Sequence, residues 1–198
     1  VSLDVNKAEF ICLSGPSGSG KTTLLNMLGG LDTLDSGSIT LGEFQVDRLS
    51  KTEKSELRLR HIGFVFQSYN LIPVLTVQEN VEFVMQLQGR SASERQQKAR
   101  EVLCEVGLED MATRRPAQLS GGQQQRVAVA RAIVSEPELV LADEPTANLD
   151  SASAATLVDL FLSLNARYGI TFVIATHDQR IVSRCRRLVT MVDGRIVD

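Results

Sequence analysis

The sequence predicts an α/β fold: a mostly parallel sheet wrapped by helices, with an α-helical subdomain inserted into it. Three observations carry this. Short runs rich in Val, Leu and Ile recur without polar alternation, as in strands covered on both faces. A glycine-rich turn, Gly15-Pro16-Ser17-Gly18-Ser19-Gly20-Lys21-Thr22, separates the first such run from a helical pattern. Residues 76–116, by contrast, show helical period and composition only.

The elements follow in order. Residues 9–13 form a short buried strand that runs into the glycine turn, and a helix covers 20–28 until Gly29-Gly30 stops it. Strands at 38–41 and 62–66 flank a polar, partly helical stretch. Helices at 77–88 and 93–106 end at Gly89 and Gly107 and make up the subdomain, which closes near Pro116. The α/β core is then 1–75 plus 117–198. Its second part contains a helix at 122–135, a strand at 138–142, a helix at 151–168, and strands at 171–175 and 187–192. No internal repeat or low-complexity linker interrupts the order.

Composition narrows the function classes. A chain of 198 residues with 43% hydrophobic and 23% charged residues suits one well-packed domain. A net charge of −3 gives no reason to expect a nucleic-acid surface. Arg184, Arg186 and Arg187 cluster, and read as a solvated helix face. No apolar run approaches the ~18 residues that span a bilayer, and the first ten residues lack the pattern of a signal peptide. A soluble, intracellular chain is expected. Cys12, Cys104 and Cys185 are scattered without metal spacing and read as buried thiols in a reducing compartment.

The glycine turn fits G-x-x-x-x-G-K-[ST], the P-loop that wraps nucleotide phosphates. Clustered phosphate charges need many donors at close range. Glycines let the backbone approach, its N–H groups form a concave anion site, and the following helix adds its positive end. Lys21 supplies a mobile cation for the β- and γ-phosphates, and the Thr22 hydroxyl suits Mg²⁺. Later, Leu139-Val140-Leu141-Ala142-Asp143-Glu144 delivers two carboxylates to the carboxyl end of a strand, where ligands bind in such sheets. Ser120-Gly121-Gly122-Gln123 opens another helix and can also present N–H groups to an anion.

With the turn at 15–22 and Leu119-Ser120-Gly121-Gly122-Gln123 on one chain, the sequence resembles the nucleotide-binding domain of ATP-binding cassette (ABC) proteins along its whole length. The resemblance implies a P-loop NTPase of the ABC ATPase type that uses ATP and Mg²⁺. Gly15, Pro16, Ser17, Gly18, Ser19, Gly20, Lys21, Thr22 and Thr23 would surround the phosphates. Thr22, Gln67 and Asp143 would serve Mg²⁺, and Glu144 would be general base, with Gln67, His177 and Lys21 assisting. Ser120, Gly121, Gly122 and Gln123 would close on the nucleotide of a second copy, so that a homodimer buries two ATPs. Ala147-Asn148-Leu149-Asp150 resembles the loop that crosses that interface.

Finer wording, including Gly30-Leu31-Asp32, Tyr69-Asn70-Leu71-Ile72-Pro73 and Glu79-Asn80-Val81, is similar to the macrolide-export, lipoprotein-release and cell-division ATPases of bacteria. That group implies a transport-coupled ATPase, cytoplasmic and peripheral on the inner face of the cell membrane. An integral membrane, permease-type partner would meet residues 69–75, from Tyr69 through Leu75, whose apolar side chains are expected in a loop. Two departures stand out. The adenine-stacking aromatic usual in the family's first strands is absent from residues 1–10, and the chain stops soon after Gly194-Arg195, so the domain reads as trimmed at both ends. A soluble ABC ATPase of DNA repair or chromosome maintenance is the alternative. It would carry long coiled coils, and no sustained heptads occur between Phe83 and Pro116. A P-loop kinase or GTPase is disfavoured by the turn at 119–123 and by the lack of an N-K-x-D motif.

Overall fold

The computed structural model describes residues 1–197. Its centre is β1 (Phe10–Ser14), which pairs in parallel with β6 (Thr171–Ala175) on one side and β7 (Arg187–Val192) on the other. Beyond β6 lie β5 (Leu139–Asp143) and β4 (Ile62–Val65), both parallel. The sheet order is β4-β5-β6-β1-β7-β8. Only the edge strand β8 (Arg195–Ile196) runs antiparallel, joined to β7 by a turn in which Asp193 and Gly194 are left-handed. The expected parallel sheet is therefore present, closed by one hairpin that was not foreseen.

Phe10, Ile11, Cys12 and Leu13 are all fully buried, which explains why β1 shows no polar alternation. Successive residues point to opposite faces. Phe10 and Cys12 join one apolar cluster, while Ile11 and Leu13 join the other with Leu25, Leu57 and Val173. In the first cluster Phe172 touches Phe10 and Phe161, with ring centroids 5.7 and 5.3 Å apart.

Seven α-helices surround the sheet among the described residues: α1 (Lys21–Leu28), α2 (Lys51–His61), α3 (Val77–Leu87), α4 (Ala92–Glu105), α5 (Gly121–Ile133), α6 (Ser151–Tyr168) and α7 (Gln179–Val182). From α2 to α7 their starts follow from side-chain capping. Ser50 with Glu53, Thr76 with Glu79 and Ser120 with Gln123 form reciprocal capping boxes at α2, α3 and α5. The inserted helices share the main core: Val81, Met85 and Leu103 lie in one cluster with Val127 of α5 and Phe161 of α6.

Several expectations change. The strand expected at 38–41 shortens to β2 (Thr40–Leu41), paired with β3 (Phe44–Gln45) in a separate two-stranded sheet. The polar stretch before β4 is a full helix, α2. The arginine cluster is not on a helix: Arg187 opens β7 and pairs with Glu9, and Arg184, in the preceding turn, pairs with Asp159. The three thiols are free, but only Cys12 is buried; Cys104 is exposed. Among the described residues no helix is long and apolar enough to cross a membrane.

Candidate functional site

The carboxyl ends of β1, β5 and β6 converge on one cavity. β1 ends at Ser14 and the glycine turn leads into α1. The turn is pressed against β7. A Cβ on Gly15, at φ 145°, would lie 2.1 Å from the Met191 carbonyl oxygen, so only glycine fits there. Gly20 caps α1 without a side-chain hydrogen bond, which leaves the amino end of the helix without a built-in acceptor. The buried Lys21 folds back over the turn, its Nζ donating to the carbonyls of Gly15 (2.8 Å) and Pro16 (3.0 Å).

One residue further, Thr22 Oγ1 donates to Asp143 Oδ2 at 2.9 Å. Burial pushes the Asp143 carboxyl above its ordinary range, and the bond from Thr22 works against that rise. Glu144 follows at the end of β5 in a left-handed backbone, φ 44°, held by its N–H to the Ala175 carbonyl at 2.8 Å. Such a conformation costs about 1–2 kcal/mol in a residue with a Cβ. Its carboxylate meets two groups from the turn after β6: Thr176 Oγ1 at 3.1 Å on Oε2, and His177 Nδ1 at 2.9 Å on Oε1.

A cavity of about 700 Å³ is lined by Gly15, Pro16, Ser17, Gly18, Ser19, Gly20, Lys21, Thr22, Thr23, Gln67, Ala147, Glu144 and His177. The structure thus gathers most of the sequence-derived site residues around one space. Asp143 stands behind Thr22. Ser120, Gly121, Gly122 and Gln123 do not line this cavity. They open α5, where Ser120 Oγ accepts from the Gln123 N–H and Gln123 Oε1 accepts from the Ser120 N–H. A Cβ on Gly122 would approach Ser153 Oγ to 2.7 Å, so α5 and α6 meet closely at that point.

Ala147, expected in a loop that crosses a dimer interface, also lines the cavity of its own chain. Sequence reasoning missed several residues. Thr176 binds Glu144. On α5, the fully buried Gln125 donates to the Pro145 carbonyl at 2.8 Å. Arg131 donates to the carbonyls of Tyr69 and Asn70, both left-handed residues in the loop after Gln67. Gln125 and Arg131, two polar side chains on either side of the buried apolar run 127–130, were the available signal. Thr176, at the end of an apolar run, gave none.

The loop at 69–75 also differs from expectation. Leu71 is half-buried against the main core, Ile72 is half-buried, and Val74 is the exposed apolar residue at 72%. Ile72 lines an apolar groove of about 500 Å³ together with Leu31, Phe64, Phe66, Phe83 and Leu87. Leu31 and Leu87 are about half exposed at its rim.

Comparison with known proteins agrees with this arrangement. The family profile described as "ABC transporter" matches residues 1–147. The chain is 45% identical over 196 residues to the lipoprotein-releasing system ATP-binding protein LolD of Legionella pneumophila (strain Lens), covering 99% of this chain and 86% of LolD. It is also 45% identical over 197 residues to the macrolide export ATP-binding/permease protein MacB of Burkholderia pseudomallei (strain 1710b), of which it spans 30%. The dimeric, post-hydrolysis structure of the ATP-binding cassette MJ0796 with ADP and Pi superposes with a TM-score of 0.91 at 40% identity, covering 99% of this chain and 86% of that one. With a profile match over residues 1–147 and LolD 45% identical along 99% of the chain, the chain belongs to the ABC transporter family and carries the ATP-binding cassette fold.

Proposed function

We propose that this chain binds Mg-ATP in the cavity at the carboxyl ends of β1, β5 and β6, hydrolyses it, and does so as a homodimer that drives a membrane partner. The observation that carries the reading is the convergence of Lys21, Thr22, Gln67, Glu144 and His177 on that cavity. Lys21 exchanges its bonds to the Gly15 and Pro16 carbonyls for the β- and γ-phosphates. Thr22 and Asp143 offer adjacent hard oxygens, the donor set that Mg²⁺ takes, and Gln67 stands at the same cavity as a third. An Mg²⁺ held by these oxygens would neutralise phosphate charge. Glu144 accepts a proton from the attacking water, and His177 steadies the carboxylate and faces the γ-phosphate.

Ser120, Gly121, Gly122 and Gln123 lie outside the chain's own cavity, which supports their closing on the nucleotide of a second copy. The dimeric MJ0796 structure supports the same assembly. The groove lined by Ile72, Phe83 and Leu87, beside the loop at 69–75, is the proposed seat of the membrane partner. The relation to LolD and MacB supports export or lipoprotein release as the work done, with the chain peripheral on the cytoplasmic face of the membrane. The helical segment 76–116, whose α3 and α4 pack with α5, is taken as the inserted helical subdomain.

The test uses purified chain and its Glu144→Gln variant. Wild type should release phosphate from Mg-ATP, and the variant should do so about 100-fold more slowly or less. The variant should elute as a dimer with Mg-ATP and as a monomer with ADP. A wild type without phosphate release, beside a variant that stays monomeric at saturating ATP, would overturn the reading.

A further inference from the structure

The turn after β6 holds a buried hydroxyl whose bonding leaves little choice about its proton. Thr176 is fully buried. Its backbone N–H donates to the Leu13 carbonyl at 3.0 Å, which fixes it to β1. Its Oγ1 accepts the Asp178 N–H at 3.0 Å and lies 3.1 Å from Glu144 Oε2. A hydroxyl has one proton, and an N–H cannot take it. The proton is therefore directed at the carboxylate.

We propose that Thr176 is a positioning residue for hydrolysis: its hydroxyl fixes the plane of the Glu144 carboxylate from the buried side. The proposal rests on Glu144 acting as the base. Glu144 needs such a support because its backbone is left-handed and its carboxylate lines a wide cavity. The other contact, from His177, comes from a side chain that is 75% exposed. An exposed ring restrains a carboxylate less than a buried hydroxyl anchored to a central strand. With Oε2 held by Thr176, the carboxylate keeps one orientation while water approaches. The water oxygen then bonds to the γ-phosphorus, the bond from that phosphorus to the β–γ bridging oxygen breaks, and the water proton passes to Glu144. A base held within a narrow range of angles raises the rate of that step without changing ATP affinity.

A side-chain swap of equal size tests this. Thr176→Val removes the hydroxyl and keeps the shape. Its kcat for ATP should fall about tenfold or more, since a buried carboxylate bond is lost, while KM stays within about twofold. Thr176→Ser, which restores the hydroxyl, should recover most of the rate. Should the Val variant fail to fold, Thr176→Ala against Thr176→Ser carries the same comparison. A Val or Ala variant within about threefold of wild-type kcat overturns the proposal. So does a parallel loss in KM and kcat, or a Ser variant no better than Ala. Wild-type turnover is measured alongside: no turnover there sinks the hydrolase reading itself, whereas normal turnover with an insensitive Thr176 sinks only this inference.

Discussion

Thr22 and Asp143 are 121 residues apart in sequence and 2.9 Å apart in space, and each brings a different kind of oxygen. That pairing is the smallest unit of the site. Lys21, one position earlier, is buried and saturated by its own turn, so its charge is already oriented before any phosphate arrives. Deleting it removes the only lysine or arginine lining the cavity among the described residues. Lys21→Ala should therefore weaken ATP binding at least tenfold, by about 1.4 kcal/mol or more, as read by equilibrium dialysis. Ser120→Arg should instead leave ATP binding by the isolated chain unchanged and abolish hydrolysis, because Ser120 does not line its own chain's cavity. Equal losses of affinity in the two variants would refute an action of the signature turn across a dimer.

Helix α5 links the two surfaces that matter. Its first residues carry the signature turn, Gln125 grips the segment after Glu144, and Arg131 grips the loop after Gln67 and also lines the apolar groove. A change at the groove is thus one rigid helix away from Ser120. Leu87, at the carboxyl end of α3 and 59% exposed, tests the groove with little cost to the fold. Leu87→Asp should leave the ATPase rate of the isolated chain within about twofold and abolish co-purification with the proposed membrane partner. Retained co-purification would move the docking surface elsewhere. The long helices and buried strands of this scale were readable because their patterns are strong: α3, α4, α6 and β6 fall within a residue or two of expectation. The α2 helix was half seen, since its residues are mostly polar and its start rests on the Ser50–Glu53 capping box. The β7–β8 hairpin was missed because a two-residue edge strand carries no period. At the site, the motif residues were legible, whereas Thr176 and Arg131 act through hydrogen bonds to residues far away in sequence, which only the fold creates.

Over the whole molecule, the strands of the site are joined by side chains as well as by the sheet. Asp178, after β6, accepts from Thr146 Oγ1 at 2.7 Å and from the Arg180 guanidinium, which together lower its pKa from 3.8 to about 2, the Arg180 bond being the main cause. A depressed carboxyl stabilises the fold above its unfolded pKa and loses that contribution as pH falls through its folded one. Wild type should therefore lose more stability than Asp178→Asn between about pH 5 and about pH 2, read as the shift in urea midpoint. Equal shifts would show that the Thr146 and Arg180 bonds carry no charge-dependent stability. The order of the strands has a further consequence, for assembly in time. β1 is made before β6 and β7, yet Phe10 pairs with Phe172 and Ile11 with Arg187, and the glycine turn rests on Met191. Contacts of such sequence separation are slow to close. The phosphate cradle, encoded ahead of β6 and β7, is therefore among the last parts of this domain to become structured. During synthesis the exposed apolar β1 must wait for β6 and β7, and nucleotide can select only chains in which β7 has already been made.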